Sequence, residues 1–463
     1  MNRFIIFLFC ALLIFNFAIA PDFGLTWDVP HHIKVGELTL GINNRYPFIS
    51  LPYGVVTDVI PVLIAETLPS YLKPTSYLYL PIFLGILGGF FFYLLLFRYY
   101  GHFIAIFSTL ILFSIPRFIG HMHTNTKDVG GGAFFMGTVY FLTLYFENWK
   151  KKYAVLAILF FSLGVNTKLT IYQLFPLFLI MSLPFFKKKG GNILILFLIL
   201  FILPSAIWFF LWPHNLFPLS PSLEYLQQLI FSYKEKDLIY SLVQFWETTP
   251  FILLILSFLG IGVSLYDFRK RGRILSLFFP LLFLYTIFKY PLFGFPIVDD
   301  IRYFIDVYFA TAFLSVFGVY FFLKKYAVVF IILIIGIGLY RSIELHPYEI
   351  AYANFLSKNN DRDFWAASYK EVFADINQTV PKNSTVSVRL APELAYFYIR
   401  PDLRKNLNRR NPNESDFVVI LNRPSFFMIF RVENFYQRNT PTNIFQTKTR
   451  VPLSYFYDLR VVR

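Results

Sequence analysis

A single cysteine, Cys10, among 463 residues has no partner within the chain, so no internal disulfide is possible, and because it lies inside the first apolar run thiol catalysis and a cysteine-ligated zinc are set aside. Charge is equally scarce. Asp, Glu, Lys and Arg together make up 15% of the chain, whereas 57% is hydrophobic and Phe alone occupies 60 positions, a balance foreign to an ordinary soluble domain. The chain has no G-x-x-x-x-G-K-[ST] phosphate loop, no H-E-x-x-H zinc helix and no G-x-S-x-G nucleophile elbow. Cytosolic nucleotide hydrolysis and serine hydrolase chemistry therefore have no foothold. No repeat of 20 to 50 residues and no extended low-complexity tract is present either.

What the chain does have is a series of long apolar runs. A membrane-spanning helix needs about 20 mostly apolar residues, and that ruler marks spans at 3–20, 76–97, 102–116, 129–146, 153–168, 170–186, 192–212, 251–266, 274–290, 303–323 and 326–340. The expectation is an all-α polytopic membrane protein of about eleven helices. Arg3, the apolar core after it and Ala18-Ile19-Ala20 resemble a secretory signal. Pro21 directly after that tripeptide argues against cleavage, so the first run is expected to remain as a helix.

The formal charge of +15 is gathered in short clusters between spans: Lys150-Lys151-Lys152, Lys187-Lys188-Lys189, Arg269-Lys270-Arg271-Gly272-Arg273 and Lys324-Lys325. Basic loops of this kind mark the cytoplasmic side of a membrane protein and do not point to nucleic acid. With the N-terminus inside, residues 21–75, 117–128, 213–250, 291–302 and 341–463 fall on the non-cytoplasmic side. The division expected is a transmembrane domain over 1–340 and a small soluble α/β domain over 341–463. In the second, 369–380 reads as a helix and 385–390 and 416–421 as strands.

Two polar segments stand out on the non-cytoplasmic side. The first is Thr26-Trp27-Asp28-Val29-Pro30-His31-His32; the second runs from Pro116-Arg117 through His121, His123, Lys127 and Asp128 to Gly130-Gly131-Gly132. Ionisable groups beside hydrocarbon are costly and mark a functional site by default. Asp28 and Asp128 each precede a helical stretch, so capping competes with chemistry as their role. Arg117, Lys127, Lys168 and Arg302, with Asp300 beside the last, place cations at one face. Such groups suit a lipid phosphate, Arg by bidentate contacts and Lys as a point charge; taken singly, each could instead snorkel to the headgroups. His121, His123 and Asp128 form a weak candidate for a divalent cation, magnesium or manganese. A donor on this side cannot be a cytosolic nucleotide sugar. A lipid-phosphate-linked donor meets the requirement.

Four ordered segments carry a resemblance: Thr26-Trp27-Asp28 with His31-His32; Pro116-Arg117 to Lys127-Asp128; Asp300-Ile301-Arg302-Tyr303-Phe304; and His346-Pro347-Tyr348-Glu349 through Tyr352-Ala353-Asn354, Trp365 and Ser368-Tyr369-Lys370-Glu371. With them the chain resembles the GT-C glycosyltransferases of the dolichyl-phosphate-mannose protein mannosyltransferase and aminoarabinose transferase type, in particular bacterial members. The resemblance implies an enzyme of the bacterial inner membrane with an extracytoplasmic site, moving a sugar with inversion from a polyprenyl phosphate to a hydroxyl of a lipid, glycan or protein. It implies Asp28 as general base and Asp128 in positioning the acceptor or assisting a metal. Arg117, Lys127, Lys168 and Arg302 would hold the phosphate, with His31, His32 and Asp300 nearby. Many relatives follow the first Asp with Glu, and here Val29 stands in that place. The competing expectations are a transporter or flippase of a lipid-linked glycan, disfavoured by the absent repeat, and a scaffold whose tail binds a partner.

Overall fold

The computed structural model describes residues 3–42, 46–48, 53–211, 239–293, 300–358 and 361–460. In hydrocarbon a backbone must satisfy its own hydrogen bonds, and the apolar runs do so as helices. Among the described residues six stretches are long and apolar enough to cross a membrane: Arg3–Asp22, Lys73–Leu112, Thr126–Asn148, Leu169–Leu211, Phe251–Arg271 and Val307–Leu345. Three of these, of 40, 43 and 39 residues, would reach about 60 Å if straight, twice the thickness of the apolar layer. Each is broken inside its length, at Gly101 (φ +82°) in the last third of the first, and near the middle of the others at Lys189 (φ −144°) and at Lys324 (φ +47°). The last two breaks fall within lysine clusters. Each stretch therefore folds back as two segments, and with helices Lys151–Val165 and Ile274–Phe293 every expected span finds a helical counterpart. The chain is an integral membrane protein with an all-helical bundle. The span expected at 170–186 is the most irregular, a 3-10 turn at Leu169–Leu174 followed by a short helix at Phe175–Ser182. Pro176 and Pro184 interrupt its hydrogen-bond ladder.

Packing inside the bundle is closest where small residues meet. A Cβ on Gly260 would lie 2.1 Å from the Leu314 carbonyl oxygen, and one on Gly318 only 3.1 Å from Gly260 Cα. Helices Phe251–Arg271 and Val307–Leu323 thus cross backbone against backbone, the association mode that glycine permits in lipid.

The polar end of the bundle departs from the expected loops. Segment 21–75 contains helices α1 (Val29–Thr39) and α2 (Val55–Thr67). Residues 117–128 form a buried helix, α3 (Pro116–Thr124), running into the span α4 (Thr126–Asn148). Loops 213–250 and 291–302 are described only at 239–250, at 291–293, where the helix from Ile274 ends, and at 300–302. The last span continues to Leu345, so the terminal domain begins a turn later than the expected boundary at 341. That domain holds the expected helix, α5 (Tyr369–Thr379), and a sheet of β1 (Val386–Val388), β2 (Phe417–Leu421), β3 (Asn443–Gln446) and β4 (Pro452–Asp458) in the order β1-β2-β4-β3. β1 and β2 are parallel and the other pairings antiparallel. β3 and β4 were not expected.

The terminal domain shares its core with the first polar segment. Ala20, Phe23, Leu25, Ile33 and Val62 are buried in one cluster with Tyr369, Phe373, Val418 and Ile420. Burial at about 25 cal/mol per Å² of apolar surface thereby fixes the approach to Asp28 against the soluble domain.

Replacing Gly260 with Leu should cost the bundle its close crossing and shift the detergent-solubilised protein from a monodisperse to an aggregated profile in size-exclusion chromatography. Gly262→Leu, where nothing lies within 4 Å of the added Cβ, should leave the profile unchanged.

Candidate active site

Pro30 supplies a fixed φ in the first turn of α1, and Asp28 precedes that helix with its carbonyl accepting the backbone N–H of His31 (3.1 Å) and His32 (3.2 Å). Its side chain makes no capping bond. The carboxylate turns instead toward two cations distant in sequence: Lys127 Nζ donates to Oδ2 at 2.6 Å and Arg302 Nη1 at 3.2 Å. The capping role expected for Asp128 belongs to Asn125, whose Oδ1 accepts the Asp128 N–H (3.1 Å) while its Nδ2 donates to Asp128 Oδ2 (2.6 Å). Asp128 is thereby oriented to take the Lys168 ammonium on its other oxygen.

A second buried pair lies beside the first. Lys289 Nζ stands 3.7 Å from Asp306 Oδ2. Asp128, Lys168, Lys289, Arg302, Tyr303 and Asp306 line one crevice together with Gly131 and Gly132. A Cβ on Gly132 would sit 3.1 Å from Asp306 Oδ1, so the glycine stripe lets α4 approach the charged groups directly. Aromatic faces cover the cations: Lys127 over Tyr53 at 4.0 Å, Lys168 over Tyr303 at 4.5 Å, and Arg302 between Tyr303 (4.7 Å) and Trp365 (4.6 Å). Such contacts hold a cation where water is scarce.

The electrostatics follow from this enclosure. Burial alone would raise the Asp28 pKa, but Lys127, Arg302 and His32 outweigh it and hold the carboxyl below its ordinary range. Burial, reinforced by Arg117, pushes His121 down to about 3, and burial pushes His123 down to about 4. Both imidazoles are neutral near pH 7, which leaves the positive charge to Lys127, Lys168, Lys289 and Arg302. Against these four cations the centre sets, among the described residues, three carboxylates, Asp28, Asp128 and Asp306. Among the described residues the excess is one positive charge.

Asp28, Lys127, Asp128, Lys168 and Arg302 are thus brought together from four places in the sequence, while other candidates go elsewhere. Arg117 is 1% exposed and donates from Nε to the Tyr352 carbonyl at 2.7 Å, so it ties α3 to the chain beyond the last span and lines no part of the crevice. His31 packs edge-on to Phe48. His32 Nδ1 faces Asp58 Oδ1 at 2.7 Å, and Asp58 Oδ2 accepts backbone N–H groups from Tyr53 (2.7 Å) and Gly54 (3.1 Å), locking α1 to α2 next to the centre. The side chain of Asp300 lies outside the described residues.

The metal candidate does not assemble. His121 and His123 are two residues apart on α3 and so point about 200° apart; His123 stacks on Phe23 at 4.0 Å, whereas His121 lies by Asn125 and Trp365. Among the described residues no group of three or more His, Cys, Asp or Glu could hold a metal ion. Each carboxylate of the centre already faces an ammonium or guanidinium. Among the described residues this donor set does not fit magnesium or manganese.

Lys289, Asp306 and Asp58 were missed in the sequence. Lys289 did give a signal, since a lysine inside an apolar span is a functional candidate by default.

A family model described as dolichyl-phosphate-mannose-protein mannosyltransferase matches residues 38–208, the stretch that contains Lys127, Asp128 and Lys168. No curated protein sequence matches the chain. Among solved structures, ArnT from Cupriavidus metallidurans bound to undecaprenyl phosphate is similar with a TM-score of 0.61 at 12% identity, over 98% of each chain. The same protein in the apo state gives 0.57 at 13% identity, over 97% of each. The oligosaccharyltransferase of Archaeoglobus fulgidus in the apo form gives 0.54 at 12%, over 92% of this chain and 71% of that one. At such identities the likeness shows the fold.

The Asp28 pairing has a pH signature. Its folded pKa lies below the value of about 3.9 for an unfolded chain, so its stabilisation is complete above about pH 4 and is lost as pH falls toward the folded value. Asp28→Asn should lower the apparent melting temperature by several degrees at pH 7, because Lys127 and Arg302 keep their charge without the carboxylate. The gap should close below about pH 4. Equal melting at pH 7, or a gap that widens on acidification, contradicts the pairing.

Proposed function

From the GT-C fold that this chain adopts, we propose that it transfers a sugar from a polyprenyl-phosphate-linked donor to a hydroxyl acceptor on a lipid, glycan or protein. The observation that carries this reading is the charged centre in which, among the described residues, the cations Lys127, Lys168, Lys289 and Arg302 face three carboxylates, with Lys168, Lys289 and Arg302 lining the crevice at the end of the bundle where a lipid-anchored phosphate would enter. The phosphodiester that joins polyprenol to sugar in such a donor carries one negative charge and matches that excess. The similarity to ArnT, whose structure holds undecaprenyl phosphate, and the family match over 38–208 support the same donor class.

In the proposed reaction Lys168 and Arg302 hold the donor phosphate, Arg302 through its planar fork and Lys168 as a point charge. Lys289 adds to the field from 3.7 Å beyond Asp306. The phosphate draws Lys127 and Arg302 away from Asp28, and that release raises the basicity of a carboxylate otherwise held too acidic to accept a proton. The acceptor proton then passes to Asp28, the acceptor oxygen bonds to the anomeric carbon, and the carbon–oxygen bond to phosphate breaks. Its electron pair leaves on the phosphate. Attack opposite the leaving group inverts the anomeric centre, and the cations stabilise the charge that develops there. No metal enters these steps. On the basic clusters at the opposite helix ends, the site faces the non-cytoplasmic side of a bacterial cell membrane.

Purified protein in liposomes, given a panel of polyprenyl-phosphate sugars and a membrane-extract acceptor, should release free polyprenyl phosphate from at least one donor. Asp28→Asn should reduce kcat by about 10²–10⁴-fold, the usual contribution of a general base. Release that is independent of Asp28 contradicts its role, and no release from any donor by folded protein contradicts the transferase reading.

A further inference from the structure

A second cavity, of about 460 Å³, opens between the first helix, Arg3–Ile19, and the last span, Ala327–Leu345. That volume lies within the range of about 300–1,000 Å³ in which proteins hold small molecules. Its walls are apolar, with Leu12, Phe15, Met122 and Ile343 among them, and one end is polar, formed by His346, Glu349 and Lys448. Phe15 and Ile343 are 60% and 71% exposed, so the apolar end is open on the lipid-facing side of the bundle. Helix α3 separates this cavity from the charged centre: Ile119 and Met122 face the cavity, while Arg117 and His121 lie about 160–200° around the helix from Ile119.

The polar end has a defined gap in its hydrogen bonding. His346 lies between two carboxylates, with Nδ1 2.9 Å from Glu349 Oε1 and Nε2 3.1 Å from Asp22 Oδ2. Glu349 is 3% exposed, and among the described residues its Oε2 is buried without a hydrogen-bond partner. A buried carboxylate oxygen left in this state costs free energy that a donor would recover. Lys448, on the turn before β4, brings an exposed cation to the same mouth.

We propose that this cavity binds an aminophospholipid. One acyl chain lies between the first and last spans, the primary ammonium donates to Glu349 Oε2, and the phosphate meets Lys448. The charge pattern selects the headgroup. A buried anion and an exposed cation at one mouth match a zwitterion, and only a head with N–H groups can satisfy Oε2; a quaternary ammonium has the charge but no proton to donate. The site stands on its own observations and does not require the transferase reading.

Native mass spectrometry of the full chain in detergent, at equal concentrations of phosphatidylethanolamine, phosphatidylcholine and phosphatidylglycerol, tests this directly. Wild type should retain one phosphatidylethanolamine at least fivefold more than either competitor. Ile343→Trp, at a position exposed enough to take the larger ring without unfolding, should abolish the retained lipid by filling the cavity. Glu349→Gln should bring phosphatidylethanolamine and phosphatidylcholine to parity, and Lys448→Ala should weaken both. If Glu349→Gln fails to fold, the Ile343 and Lys448 variants decide. Equal retention of all three lipids by wild type, or retention undiminished in Ile343→Trp, overturns the proposal. Both outcomes are separate from release of polyprenyl phosphate, so either reading can fail alone.

Discussion

The Asp28 carboxylate, shared between Lys127 and Arg302, is the contact on which the rest of the polar face depends. It joins residues 99 and 274 positions apart in the chain, and each partner is itself held by an aromatic face. Enclosed charges of this kind are costly unless every one has a counter-charge, and removing one partner is far worse than never having built the pair. Among the described residues the fold meets that condition almost completely, through Asp28, Asp128 and Asp306, and leaves one cation in excess. That excess is what gives an otherwise structural network a capacity to bind an anion.

Two layers of constraint keep the network in place. Within the bundle, helices meet at glycine, as at Gly260 and Gly318, and the glycine stripe of α4 lets Lys168 and Asp306 come within reach of Asp128. Above it, the segment bearing Asp28 is built into the core of the terminal domain through Phe23, Leu25 and Ile33. The soluble domain therefore acts as a wall of the site, and Trp365, from its first turns, is one of the faces over Arg302.

Much of this was legible in the chain. Span positions follow from apolar length, and Asp28, Lys127, Asp128, Lys168 and Arg302 stood out because charge beside hydrocarbon needs a reason. What pattern could not supply was direction. Arg117 at a span boundary looks the same whether it turns to a ligand or to the Tyr352 carbonyl. His121 and His123 look like a pair in sequence but diverge once the segment is helical. Lys289 was passed over as the end of an apolar run. β3 has no alternation, its residues being mostly exposed, and its existence rests on pairing with β4, which only the folded chain displays. Pattern gives the helix that opens after Asp28 but not α2, and with it Asp58, because α2 is short and lies against the bundle instead of crossing it.

The account stands or falls on the excess positive charge serving a lipid phosphate. The most direct measurement is equilibrium binding of a polyprenyl monophosphate and of the matching neutral polyprenyl alcohol to the purified protein, alongside the double variant Lys168→Gln, Arg302→Gln. The monophosphate should bind wild type at least about tenfold more tightly than the alcohol, a difference of about 1.4 kcal/mol, and the double variant should lose that preference while still binding the alcohol. Equal affinity of wild type for the two lipids, or a preference for phosphate that survives both substitutions, would contradict it.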